Sequence, residues 1–317
     1  MAVAFTFPGQ GSQAVGMGKA LADAHREAAS VFAEVDEALG EKLSTIIWEG
    51  PADTLTLTEN AQPALMAVSI AALRALAAKG VDLKANVAYV AGHSLGEYSA
   101  LVAAGSLALA DAARLLRIRG RAMQSAVPVG AGAMAALIGL DITAASEVAA
   151  AAAAGGGVCA AANDNAPGQV VVSGDRAAVE RAVELARAKG ARRAVLLPVS
   201  APFHCSLMAP AAKVMEEALA QVTIGPPVVP LVANVVAGPV SDPKEILGNL
   251  VRQVTATVRW RESIGCLAGA GVGLFVEIGA GRVLSGLAKR IVEGSEALSV
   301  GTPDEVAMAV DRLTRRK

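Results

Sequence analysis

Apolar and β-branched residues occur in short runs that alternate along the chain with longer segments in which apolar positions recur at helical spacing. Such an alternation predicts a parallel β-sheet covered by helices. The pattern predicts the first strand at 3–7 and a buried central strand at 87–92. Between them, Asn60 and Pro63 predict the start of an Ala- and Leu-rich helix that ends at Gly80.

The middle of the chain has its own order of elements. Between residues 128 and 198 the pattern predicts strand, helix, strand, strand, helix and strand, the order of a ferredoxin-like unit. Elements of α/β type resume beyond Pro198, with a strand predicted at 228–235. The predicted fold class is therefore α/β, with a small domain at 128–198 inserted into a large domain formed by 1–127 and 199–317.

Composition restricts both the core and the partners. Hydrophobic residues make up 54% of the chain but aromatic residues only 3%, so the core must consist mainly of Ala, Val, Leu and Ile. The 28 basic and 29 acidic residues give a net charge of −1, without the positive field that nucleic acid or anionic membranes usually require. We expect neither partner.

Targeting signals and cysteine pairs are not evident in the sequence. No uninterrupted apolar run reaches the roughly 20 residues that a membrane-spanning helix needs. The first residues, MAVAFTFPGQGSQ, lack the basic and long apolar segments of a signal peptide, so a cytoplasmic location is expected. Cys159, Cys205 and Cys266 have no C-x-x-C spacing, and we expect free thiols and no zinc site.

The candidate nucleophile is Ser94, in the sequence GHSLG at 92–96, which fits the motif G-x-S-x-G. The motif lies between a predicted strand and a predicted helix, where a sharp turn exposes the serine hydroxyl. The N–H of Leu95 at the start of that helix is a natural donor to an oxyanion. The alternative at this point is that Ser94 only caps the helix.

A second oxyanion donor must come from another loop. The segment FPGQGSQ at 7–13 follows the first strand, at the carboxyl edge of the sheet where ligands bind in such folds. Its glycines allow the backbone to approach a ligand closely. Gln10 is the candidate for this second donor.

A serine nucleophile needs a base, and the chain has three histidines. His25 lies among charged residues, and His93 is the neighbour of Ser94 and is not expected to curl back onto its hydroxyl. His204, in APFHCSLM, remains, with a capping or core histidine as the alternative. No acidic residue between Ser94 and His204 stands out as a triad member. A backbone or amide carbonyl could orient the imidazole instead and would leave it less basic. A less basic imidazole favours acyl transfer from an activated thioester.

One predicted helix carries four arginines: Arg114, Arg117, Arg119 and Arg121. At 100° per residue the other three share a face, so Arg119 is the candidate to face the interior. A buried guanidinium is unfavourable unless it meets a carboxylate. Such an arginine would bind a dicarboxylic acyl group and reject an acetyl group, which leaves it unpaired.

Two further patterns have less specific explanations. FVEIGAGRVLSG at 275–286 resembles a dinucleotide-binding turn, but Leu284 stands at the third glycine position and no acidic residue ends a following strand. RLTRRK at 312–317 is a short basic run that an exposed chain end explains.

The chain resembles the malonyl-CoA:acyl carrier protein transacylases of bacterial fatty acid synthesis in six ordered motifs: FTFPGQGSQ, AGHSLGEYSALVAAG, IRGRAMQ, APFHCSLM, VRQVTATVRW and VEIGAGRVLSGL. The resemblance spans almost the whole chain. It implies a large α/β-hydrolase-like parallel-sheet domain that is interrupted by a ferredoxin-like (βαββαβ) domain.

The resemblance also implies a role for each candidate residue. Ser94 would be acylated, His204 would be the base, and the carbonyl of Gln253 would orient His204. Arg119 would bind the malonyl carboxylate. The oxyanion hole would be formed by the backbone of two residues, Gln10 and Leu95.

The implied reaction is a ping-pong transfer of malonyl from malonyl-CoA to the phosphopantetheine thiol of acyl carrier protein. Phe203 matches malonyl-selective acyltransferases, although many members have a smaller residue there. The scheme requires no metal or redox cofactor, and a monomer is expected.

Three alternatives remain open on the sequence. The nearest is a free-standing acyltransferase that loads a polyketide carrier protein by the same chemistry. A serine hydrolase or thioesterase would need access for water and usually an acidic triad member. A non-enzymatic binding module built on the glycine-rich loops would tolerate Ser94→Ala.

Overall fold

A computed structural model describes residues 1–314, in which strands and helices alternate as expected of an α/β protein. The last three residues of the basic run at 312–317, residues 315–317, lie outside the described residues. The strands are β1 (Ala2–Phe7), β2 (Tyr89–Gly92), β3 (Gly132–Ile138), β4 (Cys159–Ala166), β5 (Gln169–Asp175), β6 (Arg193–Leu196), β7 (Leu231–Ala233), β8 (Gly238–Val240), β9 (Val272–Ile278) and β10 (Glu296–Val300).

The helices surround the strands and fill most of the connections between them. They are α1 (Lys19–Ala24), α2 (Arg26–Leu39), α3 (Leu43–Glu49), α4 (Ala52–Thr56), α5 (Thr58–Ala78), α6 (Leu83–Asn86), α7 (Gly96–Ala103), α8 (Leu109–Ser125), α9 (Ile142–Ala154), α10 (Arg176–Ala188), α11 (Ala209–Leu219), α12 (Pro243–Gln253), α13 (Trp260–Gly269), α14 (Val283–Ile291) and α15 (Pro303–Thr314).

The larger sheet has six strands in the order β10-β9-β1-β2-β7-β8. Its strands pair in parallel except at one edge, where β8 is antiparallel to β7. The central strand β1 is buried along nearly its whole length, as is usual for a parallel sheet that helices cover on both faces. Because β1 and β2 are neighbours, with Phe7 opposite Gly92, the loops that follow them meet at one edge.

The smaller sheet is antiparallel, with the strand order β4-β5-β3-β6. Its elements follow the chain order that the sequence predicts for this region, β3-α9-β4-β5-α10-β6. A separate apolar cluster lies between this sheet and its two helices, and most of its members are alanine and valine. Small side chains let the helices pack close to the strands.

Backbone hydrogen bonds and a shared core join the smaller sheet to the rest of the protein. Val258, just before α13, donates to the Ala162 carbonyl at 2.9 Å and accepts from the Asp164 N–H at 3.0 Å, both on β4. The main apolar cluster also includes Met134 and Val171 from the smaller sheet. The two sheets therefore form one continuous structure next to the site described below.

The helix α5 is the central core element. Within the described residues it is the one helix long and apolar enough to span a membrane by length and composition, but 78% of its most apolar window is buried inside the protein. Its neighbours are other helices and the sheet, and the shared apolar cluster contains residues along most of its length. Burial of this kind is typical of a core helix.

Several boundaries differ from the sequence prediction. The sequence pattern after the first loop predicts one helical stretch to about Leu39, but the structure divides it, because His25 has extended backbone angles between α1 and α2. The strand predicted at 228–235 is limited to β7, since Pro230 has no N–H to donate to a ladder. Helix α5 begins at Thr58, so Pro63 lies inside it and leaves the Glu59 carbonyl without a helical donor.

Candidate active site

Ser94 lies in a sharp turn between β2 and α7. Its φ angle is 53°, a left-handed backbone conformation that non-glycine residues rarely adopt. The two flanking glycines are required sterically: a Cβ on Gly92 would lie 1.9 Å from the Gly96 carbonyl atoms, and one on Gly96 would lie 2.2 Å from the Phe7 carbonyl oxygen. The turn thus packs against the end of β1 and presents the hydroxyl at the start of a helix.

The Ser94 hydroxyl, the His204 ring and the backbone of Gln253 form a hydrogen-bonded row. Ser94 Oγ lies 2.8 Å from His204 Nε2. On the other side of the ring, His204 Nδ1 lies 2.8 Å from the carbonyl oxygen of Gln253, at the end of α12. Because a carbonyl oxygen only accepts, Nδ1 carries the hydrogen and Nε2 is free to accept the serine proton.

His204 is a neutral base in this setting. It is buried, its φ angle is 59°, and burial followed by the positive charge of Arg119 lowers its pKa to about 3. Among residues 1–314, no carboxylate hydrogen-bonds to its ring. The imidazole is therefore oriented by a neutral backbone acceptor, as the sequence resemblance implies.

Arg119 is fully buried beside the nucleophile, with 1% of its surface exposed. Nη2 donates to Ser94 Oγ at 3.1 Å and to Gln253 Oε1 at 2.9 Å, and Nη1 donates to Gln62 Oε1 at 2.7 Å. The ring of Tyr98 lies 5.8 Å from Cζ. Burial lowers the pKa of Arg119, and its Nε has no partner in the described part of the chain.

The three arginines that were predicted to share a face of α8 do not share one environment. Arg114 and Arg121 are exposed, but Arg117 is buried. Its guanidinium forms an ion pair with Glu41 and donates to the Glu59 carbonyl at 2.7 Å. That carbonyl is the one freed by the proline inside α5, which gives the burial of Arg117 a local cause.

The two predicted oxyanion donors line the same cavity as Ser94. Leu95 follows the nucleophile directly, and Gln10 lies in the loop after β1. Neither backbone N–H has a hydrogen-bond partner among the described residues. The side chain of Gln10 is held in place, because its Oε1 accepts from Thr58 Oγ1 at 2.8 Å.

Two buried residues that the sequence pattern did not reveal hold the nucleophile turn. Asn234 Oδ1 accepts from the Ser94 N–H at 2.8 Å, and Asn234 Nδ2 donates to the Gly92 carbonyl at 2.6 Å. Glu97 Oε2 accepts from the Asn234 N–H at 3.1 Å and from Gln253 Nε2 at 2.8 Å. Burial raises the pKa of Glu97 to about 7 against these hydrogen bonds and the charge of Arg119.

The cavity has a volume of about 490 Å³. Residues of the smaller sheet and the segments after it close one side, among them Met134, Val171 and Phe203. Across the described residues, no group of three or more His, Cys, Asp or Glu side chains is placed to hold a metal ion. The available chemistry is thus a serine hydroxyl, a neutral imidazole, two free amides and one buried guanidinium.

Residues 4–314 match the acyl transferase domain family. The chain is 46% identical to the malonyl CoA-acyl carrier protein transacylase of Bacillus subtilis, over 98% of this chain and 97% of the relative. The chain belongs to the malonyl-CoA:acyl carrier protein transacylase family.

Solved structures of this family share the fold over the whole chain. The acyl-carrier-protein S-malonyltransferase of Bartonella henselae is 58% identical, with a TM-score of 0.97 over 99% of this chain and all of that one. A malonyl-transacylase in complex with a type II polyketide acyl carrier protein is 42% identical, with a TM-score of 0.95 over 98% of this chain and all of that one. The chain is accordingly an acyltransferase with a mixed α/β fold.

Proposed function

We propose that this acyltransferase moves a malonyl group from malonyl-CoA to the phosphopantetheine thiol of acyl carrier protein, through a malonyl ester of Ser94. The observation that carries the proposal is the buried guanidinium of Arg119, 3.1 Å from Ser94 Oγ, with its Nε unpaired among the described residues. A cation at this depth is unfavourable without an anion. The free carboxylate of malonyl-CoA supplies this anion, next to the carbonyl carbon that the serine attacks.

In the first half-reaction, Ser94 Oγ attacks the thioester carbonyl carbon while its proton moves to His204 Nε2. The tetrahedral oxyanion accepts hydrogen bonds from the Gln10 and Leu95 amides. Collapse of the intermediate breaks the carbon–sulfur bond, and the CoA sulfur leaves with the proton from Nε2. Gln253 stabilises the imidazolium through its carbonyl oxygen, which accepts from Nδ1–H.

In the second half-reaction, the carrier-protein thiol gives its proton to His204 and attacks the malonyl ester. Ser94 then leaves as the alcohol, and the malonyl group ends on sulfur. No oxidation state changes, so the scheme requires no redox cofactor, and because the Gln10 and Leu95 amides stabilise the oxyanion, it requires no metal. The name of the relative from Bacillus subtilis supports malonyl-CoA and acyl carrier protein as the two partners.

The organisation of the chain is part of the proposal. The strand order β4-β5-β3-β6 and the element order of this region support a ferredoxin-like domain at 128–198. Residues 1–127 and 199–317 would then form the α/β-hydrolase-like domain. We further propose a monomer in the cytoplasm that binds neither nucleic acid nor membrane.

A polyketide carrier protein is the second candidate recipient. The structural likeness to a malonyl-transacylase bound to a type II polyketide carrier protein favours it. The chemistry at Ser94 would be the same. A hydrolase is disfavoured because the acceptor at His204 Nδ1 is a neutral carbonyl and the acyl group would be held by a cation.

A transfer assay tests the proposal. Malonyl-CoA is mixed with the protein and with either a fatty acid or a polyketide carrier protein in its holo form, and malonyl-carrier and free malonate are both quantified. We expect malonyl-carrier to form much faster than malonate. Rapid release of malonate without any carrier protein would instead identify a thioesterase.

A further inference from the structure

The carboxyl group of Glu97 connects three parts of the site without touching the cavity. Glu97 lies on α7, one turn beyond Ser94, and is completely buried. Its Oε2 accepts from Gln253 Nε2 and from the Asn234 N–H, at 2.8 and 3.1 Å. Its Oε1 has no hydrogen-bond partner among residues 1–314.

The two residues that Glu97 binds hold Ser94, His204 and Arg119 between them. The Gln253 side chain also accepts from Arg119 Nη2 at 2.9 Å and donates to the Ser94 carbonyl at 3.1 Å. Its backbone carbonyl receives the His204 Nδ1–H. Asn234 fixes the other side of the nucleophile turn, where it accepts from the Ser94 N–H at 2.8 Å. A shift of Glu97 would therefore be passed to all three groups.

The Gln253 amide lies between a donor, the Arg119 guanidinium, and an acceptor, the Glu97 carboxyl group. Its oxygen accepts from Arg119 Nη2 and its nitrogen donates to Glu97 Oε2. These two contacts determine the orientation of the Gln253 amide. If the amide were flipped, its N–H groups would face the Arg119 donor and its oxygen would face the Glu97 acceptor. With the amide fixed, the end of α12 that carries the His204 acceptor is fixed as well.

We propose that Glu97 is a positioning residue for acyl transfer, which holds Ser94, His204 and Arg119 in register through Gln253 and Asn234. The inference rests on the proposed malonyl transfer through Ser94. Glu97 touches neither the acyl group nor the reacting atoms. It acts by supplying one acceptor to two donors from separate elements, the start of the loop after β7 and the end of α12.

The variant Glu97→Gln tests this role. The glutamine has nearly the same shape, but it must either turn an N–H toward the two donors or bury its amide nitrogen without an acceptor. Glu277→Gln is the matched control: Glu277 is also completely buried, with an Oε1 that has no partner within residues 1–314, and its Oε2 accepts from the Ser285 N–H at the start of α14.

Single-turnover formation of the malonyl-enzyme is measured over a range of malonyl-CoA concentrations, together with labelling of Ser94 by an alkyl fluorophosphonate. We expect Glu97→Gln to lower the maximal acylation rate by about tenfold or more and to slow the labelling similarly, since one displaced hydrogen bond has an effect of this order. The half-saturating malonyl-CoA concentration should change by less than about threefold, because Gln62 still holds Arg119. Glu277→Gln should acylate within about twofold of the wild type.

A folded Glu97→Gln protein that acylates and labels as fast as Glu277→Gln would overturn the inference. If Glu97→Gln does not fold, Asn234→Ala examines the same connection, and we expect it to acylate about tenfold more slowly; a wild-type rate would overturn the inference equally. A wild type that forms no malonyl adduct, while fluorophosphonate labelling still slows in Glu97→Gln, would refute the proposed function and leave the positioning role supported.

Discussion

At the residue scale, the chemistry depends on a buried cation beside a neutral base. Arg119 and His204 both contact Ser94 Oγ, from different elements. The charge of Arg119 is one reason that the pKa of His204 lies far below its ordinary value. A malonyl carboxylate bound to Arg119 would offset this charge, so substrate binding and the basicity of His204 are coupled.

Acyl selectivity should depend on Arg119. Replacing it by alanine removes the partner of the malonyl carboxylate, and the loss of such a buried charged contact typically reduces binding by about 2–5 kcal/mol. We expect kcat/KM for malonyl-CoA to fall by about 100-fold or more, while acylation by acetyl-CoA falls far less. Steady-state kinetics with both thioesters measure the ratio.

The control for this prediction is Arg121→Ala, an exposed arginine on the same helix that pairs with Glu59. It should keep the preference for malonyl-CoA. Equal losses for the two thioesters in Arg119→Ala would argue that the guanidinium supports the structure and does not select the acyl group.

The burial of His204 should appear in the pH dependence of stability. Its folded-state pKa is about 3, below the ordinary value of 6.5, so the unfolded chain takes up the proton first as the pH falls. The contribution of His204 is therefore complete above about pH 6.5 and is lost toward about pH 3.

Urea unfolding of wild type and His204→Gln at about pH 7.5 and about pH 5 measures this effect. The wild type should lose more free energy of unfolding than the variant between the two pH values, because glutamine does not titrate. An equal loss in both proteins would contradict the assignment of His204 as a buried neutral imidazole.

At the scale of elements, the nucleophile turn and the loop after β1 were predictable because glycine marks them. GHSLG and FPGQGSQ both follow apolar runs, and the structure brings their ends together at one sheet edge. Asn234 and Glu97 were not predictable in the same way. Their partners are up to 156 residues away in sequence, and no local pattern encodes such a contact.

Side-chain burial on a helix was also harder to predict than the helix itself. The 100° rule grouped Arg117 with Arg114 and Arg121, which are exposed, yet Arg117 is buried and reaches the Glu59 carbonyl that Pro63 leaves free. The shortened β7 has a comparable cause, since proline removes a backbone donor. The burial of Arg117 and the short β7 both follow from a proline that changes backbone hydrogen bonding. The effect of each proline depends on the element that lies beside it.

The nucleophile turn should not tolerate a side chain at residue 96. A Cβ there would lie 2.2 Å from the Phe7 carbonyl oxygen, so Gly96→Ala must displace backbone and should lower the free energy of unfolding by about 1–3 kcal/mol or more. Activity should fall with it, because the turn carries Ser94. Urea unfolding and acylation rates measure the two effects.

Gly265→Ala is the matched glycine substitution. Gly265 lies within α13, and a Cβ added there would meet no neighbouring atom of the described residues within 4 Å. Alanine should therefore stabilise the helix by about 0.5–1 kcal/mol. Equal effects of the two substitutions would show that the close approach at Gly96 does not constrain the turn.

At the scale of the whole molecule, the active site depends on the contact between the two sheets. The cavity is lined from both, and β4 pairs with the segment before α13. An ion pair lies at the same junction: Arg261 on α13 binds Asp164 on β4 at 2.9 Å. Asp164 is buried, whereas the Arg261 side chain is 34% exposed.

Removing the cation should weaken this junction. Burial already raises the pKa of Asp164, with Arg261 opposing the rise, so Arg261→Met leaves a buried carboxylate unpaired. We expect the free energy of unfolding at neutral pH to fall by about 2 kcal/mol, less than for a fully buried pair because Arg261 is partly exposed. Arg312→Met, in an exposed pair with Glu296, should change it by less than about 1 kcal/mol. Equal losses in both variants would contradict a special role of the junction.

The central claim is a malonyl ester on Ser94 that acyl carrier protein removes. Wild type and Ser94→Ala are mixed with malonyl-CoA, freed of excess thioester, and examined by intact-protein mass spectrometry and peptide mapping before and after addition of holo-acyl carrier protein. We predict one malonyl group on Ser94 of the wild type and none on the variant, and its transfer to the carrier thiol when the carrier is added. A wild type without an adduct, or an adduct that the carrier protein does not remove, would contradict the account.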